Sequence, residues 1–129
     1  MRRVRIAQIG INEYSHAVDI FHTVRSLPHL FEFVGYAPVE DERERLGDRI
    51  AREYAGVPEL SLESILSDPS IEAVTVETDE CHLLRYAQMA AEAGKHIHME
   101  KPGSQDLAAF RRLVSTVKEK KLLFHLGYM

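Results

Sequence analysis

Val4-Arg5-Ile6-Ala7-Gln8-Ile9-Gly10-Ile11-Asn12-Glu13-Tyr14-Ser15 opens the chain with a run rich in branched residues that breaks at a glycine and continues into polar ones. A short apolar run bounded by a turn residue suits a buried strand, and Gly10 suits the sharp turn at its end. Beyond the turn, Ala17, Ile20, Phe21, Val24 and Leu27 recur at helical spacing, Ser15 offers an N-cap, and Pro28 closes the segment. Strand, glycine turn and helix form the opening of a dinucleotide or phosphate site. The turn stands where G-x-G-x-x-G would stand but keeps only the first glycine. Asn12 and Ser15 are small substitutes, Asn tolerates a left-handed backbone, and the helix N-terminus still offers N–H groups to a phosphate. Gly10, Ile11, Asn12, Glu13, Tyr14 and Ser15 are therefore candidate cofactor-binding residues.

The alternation continues to the last residues. Phe31 to Tyr36 is a second apolar run, followed by a helix from about Asp41 that buries Leu46, Ile50 and Tyr54. Its outer face, Asp41-Glu42-Arg43-Glu44-Arg45, alternates in sign, as solvated helix faces do. Gly56 ends it, Val57 to Leu60 is at most a brief strand, Ser61 caps a short helix through Leu66, and Asp68-Pro69-Ser70 is a turn. Ile71 to Thr78 reads as a fourth strand. Leu83, Leu84, Ala87, Ala90 and Ala91 mark an amphipathic helix that Gly94 terminates. Lys95 to Met99 is a fifth strand, Ser104 caps a long helix carrying Leu107, Phe110, Val114 and Val117, and Leu122 to Leu126 is a sixth. Strands alternating with helices require right-handed helical crossovers. The expected fold is thus α/β: a doubly wound parallel sheet of about six strands in a three-layer αβα arrangement, one Rossmann domain over residues 1–129.

Composition narrows the partners. With 129 residues, 45% hydrophobic and 28% charged, the chain can bury a core without disulfides or metals. Sixteen Lys and Arg against twenty Asp and Glu leave a net charge of −4 with no long basic run, which argues against nucleic acid. Cys81 is the only cysteine, so there is no intramolecular disulfide, in keeping with a reducing compartment. The N-terminus turns polar at Gln8 before a signal-like region can form, and no stretch reaches membrane-spanning length; a cytoplasmic protein with no membrane partner is expected. Cys81-His82 with His96 and His98 lacks the spacing of a closed zinc site, so no metal is expected. Met89 and Met99 read as core, and His16 either approaches a phosphate or caps its helix.

The acidic residue that holds an adenosine ribose is expected at the end of the second strand. There the sequence runs Val34-Gly35-Tyr36-Ala37-Pro38, with Ala37 at the expected position and Glu40 three residues on. NAD and NADP both remain open. Arg43 or Arg45 could meet a 2′-phosphate, although a solvated face is the simpler reading of both.

Met99-Glu100-Lys101-Pro102-Gly103 sits at the carboxyl end of the fifth strand, where ligands bind in open parallel sheets. A lysine there can hold a developing alkoxide or a sugar hydroxyl. Glu92-Ala93-Gly94-Lys95-His96 followed by Glu100-Lys101-Pro102 resembles the Gfo/Idh/MocA family, the glucose-fructose oxidoreductase and inositol dehydrogenase group, and the order of elements resembles that family's N-terminal half throughout. The resemblance implies NAD or NADP as cofactor, Lys101 as a catalytic residue beside the nicotinamide and substrate, and a commonly cis peptide before Pro102. It also implies cofactor contacts from Thr78, Lys101 and Pro102; Glu100 is a further cofactor-binding candidate that could pair with Lys101 or accept a substrate hydroxyl. Thr78 matches the family's Thr-Pro-Asn loop, whereas Asp79 and Glu80 depart from it and bring negative charge. Family members carry a second α/β domain that supplies the proton-transferring group, the substrate floor and the usual oligomer interface. The sequence, ending at Gly127-Tyr128-Met129, is therefore expected to be a fragment or a natural truncation, inactive alone. The implied reaction is an EC 1.1.1-like hydride transfer between the nicotinamide and a sugar, polyol or related carbonyl compound, in a homo-oligomer when full length. The alternative is a non-catalytic dinucleotide sensor or regulatory scaffold.

Overall fold

A computed structural model describes residues 2–128. Strands β1 (Val4–Ile9), β2 (Phe31–Ala37), β3 (Ala73–Val76), β4 (His96–Met99) and β5 (Phe124–Leu126) form one fully parallel sheet in the order β2-β1-β3-β4-β5. The chain steps from β1 outward to β2 and then returns to place β3 on the other side of β1. That reversal opens a crevice at the carboxyl ends of β1 and β3, where α/β sheets receive ligands.

Helices α1 (Ala17–Arg25), α2 (Glu42–Arg45), α3 (Gly47–Glu53), α4 (Leu62–Ser67), α5 (Leu83–Glu92) and α6 (Leu107–Glu119) make the crossovers. One apolar layer joins Ile11, Phe21, Tyr36 and Tyr54, with Leu46 and Ile50 packed against it. The larger layer, on the other face, joins Ile9, Val74, Val76, Met99, Leu83, Ala87, Ile65 and Leu113, with Met89 against it. Both outer layers of the expected three are therefore present, and both methionines belong to the core.

Several boundaries differ from the sequence reading. Val57 to Leu60 is no strand: it contributes a single bridge, Tyr36 to Glu59, so the sheet has five strands and not six. Pro58 lacks the N–H that a ladder needs, and only its carbonyl pairs, with Tyr36 N at 3.1 Å. The helix expected from Asp41 is broken into α2 and α3 at Leu46-Gly47. The last helix starts later than Ser104: Asp106 is its cap, with Oδ1 accepting from Ala109 N at 3.0 Å, while Ser104 Oγ accepts from Asp106 N. Gly94 ends α5 at φ +80°, as expected.

Candidate functional site

Gly10 leaves β1 at φ +90°, and a Cβ there would lie 2.6 Å from the carbonyl oxygen of Glu77 at the end of β3. Both the backbone angle and the close approach require glycine. Asn12 N donates to that same carbonyl at 3.1 Å, and Gly10 N donates to Ala37 O at 2.8 Å, so the turn is tied to both neighbouring strands. Beneath it, buried Gln8 donates from Nε2 to Gly10 O at 3.0 Å and to the Tyr54 hydroxyl at 2.8 Å.

Where a second and third glycine would stand, side chains brace the turn. Asn12 does not take the left-handed conformation suggested for it; its Oδ1 accepts from Tyr14 N at 2.9 Å. Ser15 Oγ accepts from Ala17 N at 3.1 Å and donates to Asn12 O at 3.2 Å. His16 N donates to Glu100 Oε2. The N–H groups of Glu13 and Ser15 are left without an acceptor among the described residues. Free N–H groups at the entry to a nine-residue helix fit the diphosphate of a dinucleotide.

These residues wall one side of a cleft of about 220 Å³, lined by Asn12, Tyr14, Ser15, Thr78, Asp79, Glu80, Glu100 and Lys101. The turn after β1, the loop after β3 and the turn after β4 thus converge. Tyr14 is 89% exposed at the mouth. Lys101 is exposed, its Nζ has no partner among the described residues, and the Lys101-Pro102 peptide is cis, as the family resemblance implies. Pro102 turns away into an adjoining depression that also holds Asp79 and Glu80. Gly10, Ile11 and Glu13 stand behind the cleft wall: Ile11 is fully buried, and Glu13 is ion-paired with Arg45.

Glu100 holds the turn together. Its Oε2 accepts from His16 N at 2.6 Å and meets His16 Nδ1 at 2.8 Å, and its Oε1 accepts from Lys101 N at 2.9 Å. Burial pushes this carboxyl up, but the His16 and Lys101 hydrogen bonds outweigh it and hold it below its ordinary value. His16 is thereby a partner of Glu100. Glu77, fully buried with neither carboxyl oxygen hydrogen-bonded among the described residues, is pushed up to about 8 by burial and then by the neighbouring Glu100. It borders a second, larger cavity of about 460 Å³ with His98 and His125, whose Nδ1 atoms are 2.8 Å apart. Burial and the His125 charge hold His98 below its ordinary range. Among the described residues no group of His, Cys, Asp and Glu could hold a metal ion.

Beyond the end of β2 lies a buried residue that the sequence reading missed. Glu42, 3% exposed, reaches back from α2: its Oε1 accepts from Val39 N at 2.9 Å and from Ile11 N at 3.1 Å. Burial pushes its carboxyl up, opposed by those two N–H groups. The signal was its place five residues beyond Ala37, inside a run of charges that reads as surface. Arg45 pairs with Glu13 and Asp41, and Arg43 turns to Glu59 at 3.1 Å. Glu40 accepts from the Tyr86 hydroxyl at 2.8 Å and pairs with Arg85. Lys95 of the Ala-Gly-Lys-His segment is also structural: buried, it donates from Nζ to the carbonyls of Asp68 at 2.6 Å and Ile71 at 2.8 Å.

The family described as oxidoreductase family, NAD-binding Rossmann fold (Gfo/Idh/MocA) matches residues 4–128. D-xylose 1-dehydrogenase (NADP+) of Hypocrea jecorina is 38% identical over 72 residues, which are 56% of this chain and 17% of that protein. Dehydrogenase aclE of Aspergillus oryzae is 25% identical over 134 residues, covering 98% of this chain and 36% of its own length. Among solved structures, biliverdin reductase from Synechocystis with biliverdin and NADP+ superposes with a TM-score of 0.79 at 24% identity, over 95% of this chain and 37% of that one. That last likeness concerns the fold alone. The chain thus spans little more than a third, at most, of the proteins it resembles here.

Proposed function

Because the chain belongs to the Gfo/Idh/MocA oxidoreductase family and is its NAD(P)-binding Rossmann domain, we propose that it serves hydride transfer between a nicotinamide and a sugar, polyol or related carbonyl compound. One observation carries this reading: Lys101, at the end of β4 with a free ammonium, lines the same cleft as the helix-opening turn Asn12 to Ser15. The bound dinucleotide supplies the hydride acceptor or donor. The free N–H groups of Glu13 and Ser15 would hold its diphosphate, with Thr78 lining the same cleft and Pro102 the adjoining depression. Lys101 Nζ donates to the substrate oxygen and stabilises the negative charge that develops there, while Glu100 fixes the turn that aims it.

Burial, and then the neighbouring Glu100 charge, favour the neutral form of Glu77, which limits the negative charge beside Lys101. Asp79 and Glu80 on the cleft wall favour a second reading, a dinucleotide sensor without turnover, because carboxylates there oppose an anionic ligand. Titration with NADH and NADPH, followed by nicotinamide fluorescence, tests the shared premise: saturable binding of at least one is expected, and binding of neither overturns it. Lys101→Ala should keep dinucleotide affinity within about threefold. In an active protein carrying this domain it should lower kcat on polyols by about 10²–10³, as loss of one oxyanion donor does. Unchanged kcat removes Lys101 from the chemistry, whereas dinucleotide binding with no turnover in the full-length protein favours the sensor.

A further inference from the structure

We propose that Glu42 is the cofactor-selecting residue of this domain, reading the adenosine ribose as a free diol and thereby selecting NAD(H) over NADP(H). The inference rests on the dinucleotide reading above and concerns which dinucleotide is taken. A cavity of about 260 Å³ lies beside the diphosphate cleft and shares Thr78 and Asp79 with it; Val39, Glu40, Asp41, Glu42, Arg45, Cys81 and His82 complete its walls. A dinucleotide with its diphosphate at the entry to α1 extends its adenosine ribose toward the end of β2, which is where this cavity lies.

Three features of Glu42 fit a ribose. Its backbone anchors are Ile11 N, in the turn after β1, and Val39 N, just beyond β2. Those anchors use Oε1 twice. Oε2 has no hydrogen bond among the described residues, so one acceptor remains for a hydroxyl on a carboxylate that cannot swing away. A hydroxyl can donate to it, whereas a 2′-phosphate at neutral pH cannot, and instead meets like charge. The remaining walls add to this. Glu40, Asp41 and Asp79 are acidic, and the arginine present, Arg45, is engaged by Glu13 and Asp41. Arg43, the other candidate for a 2′-phosphate, faces Glu59. Ala37 leaves the strand end short of a carboxylate, and Glu42 delivers one from a helix.

The test compares Kd for NADH and NADPH on the whole 129-residue chain, by fluorescence at low salt, for the wild type and Glu42→Gln. Glutamine keeps an oxygen for the two N–H groups and removes the charge. The wild type should bind NADH at least about tenfold more tightly than NADPH, and Glu42→Gln should narrow that ratio severalfold. Raising the salt should narrow it too, because repulsion of the 2′-phosphate is screened. A wild-type ratio of one or below overturns the inference even if the variant fails to fold, and so does an unchanged ratio in a folded variant. Binding of neither dinucleotide overturns the cofactor reading itself, together with the inference that rests on it. Competition against bound NADH by 5′-AMP and 2′,5′-ADP gives the same answer without the nicotinamide: 5′-AMP should win.

Discussion

Gly10 sits at φ +90° with Glu77 O 2.6 Å from where a Cβ would lie, so Gly10→Ala meets two penalties at once. A left-handed non-glycine residue costs about 1–2 kcal/mol and overpacking a further 1–3, which puts the expected loss at about 2–5 kcal/mol by denaturant unfolding. A loss under 0.5 kcal/mol would show that the turn moves freely. Glu77 carries a pH signature. Its carboxyl, pushed up to about 8, takes up protons in the folded state that the unfolded chain releases near its ordinary value of 4.5. The folded state therefore binds more protons between those values, and stability falls as pH rises through this window. Its contribution is fully present below about 4.5 and gone above 8. Melting the protein across that range should show a decline, at most about 1.4 kcal/mol per pH unit from this group, that Glu77→Gln removes. Identical pH profiles for both proteins would contradict the assignment. Neither property is visible in a list of residues: Glu77 reads as one more polar position at a strand end until β1 and β4 enclose it.

Among the elements, α6 distinguishes two capping schemes. Asp106 accepts from Ala109 N three residues on, the geometry of a side-chain cap, whereas Ser104 reaches only Asp106 N. Asp106→Ala should cost about 1 kcal/mol and Ser104→Ala less; the reverse order, measured by thermal melting, would restore the cap to Ser104. Periodicity located α1, α5 and α6 because each buries one face. It could not locate the break between α2 and α3 at Leu46-Gly47, nor show that at the start of α2 Glu42 turns inward while its neighbours Arg43 and Glu44 stay exposed. Nor could it show that Val57 to Leu60 pairs through one bridge only, next to a register step in β2 at Gly35, where a Cβ would lie 2.6 Å from Pro58 O. Both depend on how close a second segment comes, and local pattern does not encode that distance.

For the molecule as a whole, the sheet order β2-β1-β3-β4-β5 brings the turns after β1, β3 and β4 to one rim, with the cavity that Glu42 lines beside them. A dinucleotide that binds this rim and not the unfolded chain must stabilise the fold. At a hundredfold excess over Kd the gain is about 2.7 kcal/mol, a rise in Tm on the order of 10 °C for a domain of this size. No rise with saturating NADH or NADPH would contradict binding at this rim. Among the described residues no helix is long and apolar enough to cross a membrane. The sequence by itself determined the alternating α/β architecture, the Gly10 turn and the place of Lys101 at a strand end, because these follow from hydrophobic period and local backbone chemistry. Only the tertiary structure decided that buried Glu42 ties Ile11 N to Val39 N, that His16 serves Glu100, that Lys95 is buried as a tether and that Glu77 lies without a hydrogen-bond partner among the described residues. Each of those roles is set by a residue far away in the chain, and burial and electrostatic coupling exist only once packing has brought the two together.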